Sequence, residues 1–183
     1  MSKYAIMIAN GCEEVEALTV VDLLRRAGIE LDMVNIHDKN EVTSSHNITF
    51  QTDVMLSGVE ATDYEGIILP GGLMGTNNLK ANEKVLKLLT ALDSKGRLVA
   101  AICAAPTVLG EAGVLVGKKA TCYPGCEKDL TGAVYYDEKV VVDGNTITSR
   151  GVGTAIPFAL ELIAYIIGKD KADEIAKGIV YQG

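Results

Sequence analysis

The sequence predicts a three-layer α/β sandwich, with a mostly parallel sheet covered by helices on both faces. Three observations carry this. Short runs such as Tyr4–Ala9, Gly66–Leu69 and Val99–Ile102 are continuously apolar rather than alternating, as strands buried on both faces read. Stretches of helical spacing separate these runs, and repeated strand–helix alternation builds parallel sheets. Two runs also end in residues suited to tight elbows, Pro70-Gly71-Gly72 and Cys103-Ala104-Ala105-Pro106. Such elbows belong at the carboxyl edge of the sheet, where open α/β folds bind ligands.

Taken in order, Tyr4–Ala9 is the first strand, and Glu13–Ala27 is an amphipathic helix ended by Gly28. Glu30–Ile36 is the second strand. Val42–Leu56 shows short alternating pieces with polar breaks, the pattern of a small hairpin or an edge excursion. Gly66–Leu69 is a buried strand. Helical spacing returns at Val85, Leu88, Leu89 and Leu92, and Arg97–Ile102 forms the strand before Cys103. Val140–Thr148 is a hairpin with Asp143-Gly144 in its turn. An apolar helix over Ile156–Ile167 and a charged one over Lys171–Ile179 close the chain.

Composition bounds the function. The 183 residues, 48% hydrophobic and 22% charged, fit one soluble domain over 1–183. A formal net charge of −7 without a basic cluster argues against nucleic acid or an anionic membrane as partner. The N-terminal segment reaches Glu13-Glu14 before any signal-peptide core develops, and no apolar run is long enough to span a bilayer, so a cytoplasmic location is expected. The cysteines are Cys12, Cys103, Cys122 and Cys126. Only Cys122 and Cys126 are close in sequence, and no histidine or second pair completes a zinc set, so neither a metal nor a disulfide framework is expected.

The candidate chemistry gathers at the predicted sheet edge. Cys103 passes from strand to helix, where a helix N-terminus opened by Pro106 favours a thiolate; a small core thiol would read the same way. Glu16 shares a helical stripe with Val20, Leu23, Leu24 and Ala27, which turns a carboxylate toward the sheet. A surface glutamate favoured by the helix dipole is the plainer alternative. If Glu16 is buried beside a thiolate, the two groups share a proton. Gly71 and Gly72 let backbone N–H groups face a ligand, as an oxyanion hole requires, though Pro-Gly-Gly is also simply a turn. Gly151-Val152-Gly153 precedes a helix but lacks the further glycine of a dinucleotide fingerprint. Arg150 fits an anion, a subunit contact or open solvent. His37 and His46 lie in polar loops, so a Cys–His pair has little support.

Five segments together resemble the ThiJ/PfpI superfamily, in the branch of the Parkinson's-disease protein deglycase and its bacterial relatives. They are Gly11–Glu16, Val21–Gly28, Leu69–Gly72, Ala100–Pro106 and Thr148–Thr154, in family order and spanning nearly the whole chain. The resemblance implies a flavodoxin-like sandwich of the class I glutamine amidotransferase type, usually a homodimer and independent of cofactors. It implies that Cys103 is the nucleophile, that Glu16 hydrogen-bonds it, and that the N–H groups of Gly72 and Ala104 hold an oxyanion. Gly71, Tyr123, Arg150 and His46 are the expected pocket residues, Arg150 also matching a dimer contact. Two positions depart from the pattern. Tyr123 stands where many members have a histidine near the cysteine, and His46 where the best-known member has an arginine. The first departure disfavours an amidase or protease, because a tyrosine is a poor base at neutral pH.

What this implies is an enzyme acting on small reactive carbonyls or glycated proteins, as a glyoxalase III or protein deglycase does, in carbonyl and oxidative stress. A redox-sensing stress protein or chaperone, working through oxidation of Cys103 to the sulfinate, is the alternative. A cysteine amidase or protease is the remote one.

Overall fold

The computed structural model describes residues 2–37 and 39–183. Its strands are β1 (Lys3–Ile8), β2 (Glu30–Asn35), β3 (Glu41–Thr43), β4 (Thr49–Gln51), β5 (Val54–Met55), β6 (Gly66–Leu69), β7 (Leu98–Ile102), β8 (Lys119–Ala120), β9 (Val134–Tyr135), β10 (Val140–Asp143) and β11 (Thr146–Ser149). Seven of them join in the order β10-β11-β7-β6-β1-β2-β5. Every neighbouring pair in that sheet is parallel except the β10–β11 hairpin at one edge. The continuously apolar runs are the central strands: β6 and β7 are buried at every position, and β1 at all but Lys3.

The helices are α1 (Glu14–Arg26), α2 (Leu73–Lys80), α3 (Glu83–Asp93), α4 (Pro106–Glu111), α5 (Ala155–Ile167) and α6 (Lys169–Gly178). Successive strand residues point to opposite faces, so the sheet feeds two separate cores. Ile6, Ile8, Ile68, Ala100 and Ile102 pack with Leu24 of α1 and with Phe158 and Leu162 of α5. Ala5, Met7, Ile67, Leu69, Val99 and Ala101 pack with Leu89 of α3 and Leu109 of α4. The mostly parallel sandwich predicted from the sequence is the fold observed. Among the described residues, no helix is long and apolar enough to cross a membrane.

Several local features differ from the expectation, each for a physical reason. The 42–56 segment is both an excursion and an edge: β3 and β4 pair with each other, whereas β5 joins the main sheet beside β2. The β10–β11 turn is Gly144-Asn145 rather than Asp143-Gly144, because Asp143 pairs with Thr146. Gly144 takes φ 59° at the first turn position, as a two-residue hairpin loop of the II′ type requires. Helix α2 was not expected, since Leu-Met-Gly-Thr-Asn-Asn has no apolar stripe. Its Gly75 lies against the Cys12 backbone, where an added Cβ would come within 2.8 Å. The parallel β8–β9 pair, two residues per strand, is too short to give a periodic signal.

Register fixes where the strands end. Ile6 pairs with Ile68, and Leu69 with Ala101, so β1, β6 and β7 finish close together at one sheet edge. Ser149 of β11 lies opposite Ile102. The segments leaving these strands therefore converge. Phe158, fully buried at the centre of one core, tests the packing that holds this edge. Phe158→Ala is expected to cost about 3–5 kcal/mol in urea unfolding, through lost burial and the cavity left behind.

Candidate active site

At the end of β7 the chain turns sharply into α4, and Cys103 makes the turn with φ 67°. A side chain other than glycine is uncommon in this left-handed region and costs on the order of 1–3 kcal/mol there. Two backbone hydrogen bonds hold the conformation. The Cys103 N–H donates to Ser149 O at 3.0 Å, and the Tyr123 N–H donates to Cys103 O at 2.7 Å. The elbow leaves the thiol half-buried, whereas Cys12 and Cys122 are buried.

Glu16, in the first turn of α1, has no exposed surface. Its Oε2 accepts the Gly71 N–H at 2.9 Å, while Oε1 is buried without a hydrogen-bond partner. Gly71 is required at this place, because an added Cβ would overlap Cys103 Cβ and lie 2.5 Å from Glu16 Oε2. Gly72 is required next to it: its φ is 87°, and a Cβ would sit 2.5 Å from Gly11 O and 2.6 Å from Glu13 N. With both side chains absent, the backbone N–H groups of Gly72 and Ala104 donate toward the Cys103 sulfur.

Burial governs the titration of this pair. It pushes the Glu16 carboxyl up to about 7, against opposing hydrogen bonds from Cys103 and the Gly71 N–H. It also pushes the Cys103 thiol up to about 12, and the charge of Glu16 adds to the rise. A helix N-terminus was expected to favour the thiolate on its own. It does not, because α4 has six residues and its start is outweighed by burial and by the carboxylate. The thiolate becomes accessible only with Glu16 neutral: the repulsion then vanishes, and the Gly72 and Ala104 N–H groups favour the anion. The two side chains are thus coupled: as pH rises through about 7 the carboxyl gives up its proton, and its charge then holds the thiol protonated.

The sulfur opens into a cavity of about 810 Å³. Of the residues predicted for the site, Cys103, Glu16, Gly72, Ala104, Tyr123 and Arg150 line it, and Gly71 lies directly behind Glu16 and Cys103. His46 is not brought in. It is exposed, with Nδ1 2.8 Å from Glu14 Oε1 on the outer side of the start of α1. His37 Nε2 accepts the Asn10 N–H at 3.2 Å and does not line the cavity either. Arg150 is drawn to the cavity rim by an ion pair with Asp137. Thr154 holds the 150–154 turn, its Oγ1 accepting the N–H groups of Arg150 and Gly151. Sequence reasoning missed Glu13, Leu73, Val152 and Cys126 as wall residues. They belong to loops and helix starts whose direction no periodicity sets.

The coupling of the two groups has a measurable signature. Burial and the Glu16 charge hold the Cys103 thiol up at about 12, so iodoacetamide labelling of Cys103 is expected to keep rising with pH well above the ordinary thiol value of 9.0. In Glu16→Gln the carboxylate charge that raises the thiol is gone, so the midpoint of the labelling profile should fall below that of the wild type. A profile that is the same in both proteins would show that the two groups are not coupled.

The same arrangement of sheet and elbow occurs in known proteins. Residues 2–165 match the DJ-1/PfpI family. Protein dj-1beta of Drosophila melanogaster is 43% identical over 183 residues, with 98% of each chain covered. Its crystal structure superposes with a TM-score of 0.93 over the whole of both chains. A structure of Toxoplasma gondii DJ-1, described as oxidized, is 33% identical and superposes with a TM-score of 0.96, again over the whole of both chains. Deglycase PH1704 of Pyrococcus horikoshii is 33% identical over 150 residues, which is 81% of this chain and 89% of that one. By its sequence along nearly its whole length and by the sheet, elbow and cavity just described, this chain belongs to the DJ-1/PfpI family.

Proposed function

We propose that the protein acts on reactive carbonyls, converting 2-oxoaldehydes such as methylglyoxal, or their adducts on protein side chains, to 2-hydroxy acids. One observation carries the proposal: a reachable sulfur and a buried carboxyl raised to about 7 share one cavity wall that contains no imidazole. Cys103 and Glu16 are the proposed catalytic residues. The proposed reactants are small 2-oxoaldehydes and glycated side chains, met by a cytoplasmic homodimer. The archaeal relative named a deglycase supports the reading.

In the proposed reaction, the Cys103 sulfur adds to the aldehyde carbon, and the N–H groups of Gly72 and Ala104 hold the developing oxyanion. The thiol proton passes to the Glu16 carboxylate as the sulfur adds, and from Glu16 to the oxyanion. The resulting carboxylate then removes the hydrogen of the former aldehyde carbon as a proton and returns it to the neighbouring ketone carbon. The electron pair left behind passes through an enediol toward the ketone, whose oxygen gains a proton while the former aldehyde oxygen loses one, so one carbon is oxidised and the other reduced without an outside redox partner. This leaves a thioester of a 2-hydroxy acid. Water cleaves the carbon–sulfur bond, releasing the acid and the free thiol. A carboxyl near pH 7 suits a group that must both donate and accept a proton.

A second reading has its own observation. Cys103 is reachable while Cys12 and Cys122 are buried, and the Toxoplasma relative was obtained in an oxidized state. Oxidation of Cys103 to the sulfinate, held by a protonated Glu16 and the two backbone donors, would then signal peroxide stress. Nothing in the cavity supplies the base that a Cys–His amidase or protease uses.

Methylglyoxal consumption decides the first reading. Wild type should release lactate, Cys103→Ser should release none, and Glu16→Gln should lose about 10²–10⁴-fold in kcat with its far-UV dichroism unchanged. A wild type that neither consumes methylglyoxal nor repairs glycated thiols sinks the proposal. The second reading predicts that excess peroxide adds two oxygens at Cys103 before Cys12 or Cys122 reacts. Uniform oxidation of these thiols counts against it.

A further inference from the structure

A second thiol lines the cavity, and the proposed chemistry leaves it unused. Cys126 shares the wall with Cys103 and, like it, is half-buried. Two backbone hydrogen bonds connect the pair: the Tyr123 N–H donates to Cys103 O at 2.7 Å, and the Cys126 N–H donates to Tyr123 O at 3.0 Å. Cys126 therefore sits one turn beyond the residue that clamps the elbow. Directly before it, Gly125 has φ 98° and no atom within 4 Å of where a side chain would lie. Glycine has access to backbone conformations closed to other residues, so this position can supply the change of direction needed to bring two Cα atoms to the roughly 4.4–6.8 Å of a disulfide.

We propose that Cys126 is a resolving thiol, which captures oxidised Cys103 as an intrachain disulfide and so keeps its oxidation by peroxides reversible. In the first step the Cys103 thiolate attacks a peroxide oxygen. The S–O bond forms, the O–O bond breaks, and the second oxygen leaves as water or an alcohol. In the next step the Cys126 thiolate attacks the Cys103 sulfur. The S–S bond forms, the S–O bond breaks, and the hydroxyl leaves as water with a proton that the Glu16 carboxyl is placed to supply. A small dithiol then returns both sulfurs to thiols and is itself oxidised to a disulfide.

Kinetic competition at the sulfenic stage gives the pair its use. A second peroxide carries Cys103 to the sulfinate, which ordinary thiols do not reverse. A thiol on the same loop system competes at an effective concentration of about millimolar, far above micromolar peroxide. The disulfide forms first, and the sulfinate accumulates only when peroxide is in excess. Cys12 and Cys122, at 1% and 0% exposure, do not compete from the solvent side. The proposal rests on Cys103 being the reactive thiol and is independent of carbonyl turnover.

The test treats the full chain with one equivalent of hydrogen peroxide, blocks free thiols, and maps peptides by mass spectrometry without reduction. Wild type should give a Cys103–Cys126 cross-link about 2 Da lighter than the two thiols, cleaved by dithiothreitol. Cys126→Ser and Cys126→Ala should give no link and at least about fivefold more Cys103 sulfinate. Methylglyoxal turnover is followed on the same samples, so that loss of carbonyl chemistry is distinguished from loss of resolution. Equal sulfinate in wild type and both variants overturns the proposal, as does a link to Cys122 or to a second chain. Failure of Cys103 to oxidise in any of the proteins overturns both this inference and the reactive-cysteine reading beneath it.

Discussion

The hydrogen bond from the Gly71 N–H to Glu16 Oε2 spans 55 positions of sequence and ties α1 to the end of β6. The site depends on this contact. It holds a carboxyl in a fully buried position beside the Cys103 sulfur, and it is possible only because Gly71 has no side chain to fill the same space. Gly72 continues the same approach against the backbone of residues 11–13. Three strand ends can come this close because the parallel register brings β1, β6 and β7 to a common edge. The large apolar cores on both faces hold that register in place.

Strain and desolvation at this edge have the same source. Cys103 occupies a left-handed backbone conformation, and the Glu16 carboxyl is fully buried. Each is unfavourable for folding, and each is what the proposed chemistry draws on. The elbow turns the sulfur toward the cavity. Burial raises the carboxyl to about 7, so its neutral form, the one beside which a thiolate is tolerated, is populated near neutral pH. A more stable arrangement, such as a glycine elbow or an apolar residue for Glu16, would remove both functional groups.

A cysteine without a neighbouring imidazole narrows the available reactions. In hydrolytic Cys–His sites the base takes the thiol proton and later delivers it to a leaving amine. In the proposed reaction the proton is handled by the Glu16–Cys103 pair, and Tyr123 contributes a backbone N–H to the elbow. A carboxyl near its midpoint at neutral pH can pass a proton in either direction. That suits addition to a carbonyl followed by a shift of hydrogen between adjacent carbons, and it suits the stabilisation of an oxidised sulfur.

The sequence by itself determined the sandwich, because strands buried on both faces must be continuously apolar and helices must carry a stripe. It also placed Glu16 on the apolar stripe of α1, through its spacing to Val20 and Leu24, while leaving a dipole-favoured surface position open until the fold buried it. Cys103 was legible as an elbow from the apolar run before it and Pro106 after it. Its ionisation was not. The balance between a helix N-terminus, burial and a neighbouring carboxylate depends on distances that only the tertiary structure decided. The same holds for His46, which local polarity could not separate from a pocket residue until the fold placed it against Glu14. Cys126 and Leu73 belong to segments without periodicity, and such segments take their direction from what they pack against. Local patterns determine faces and elements because they depend on neighbours in sequence. Protonation states and cavity walls depend on neighbours in space, and these exist only once the sheet has brought its strand ends together.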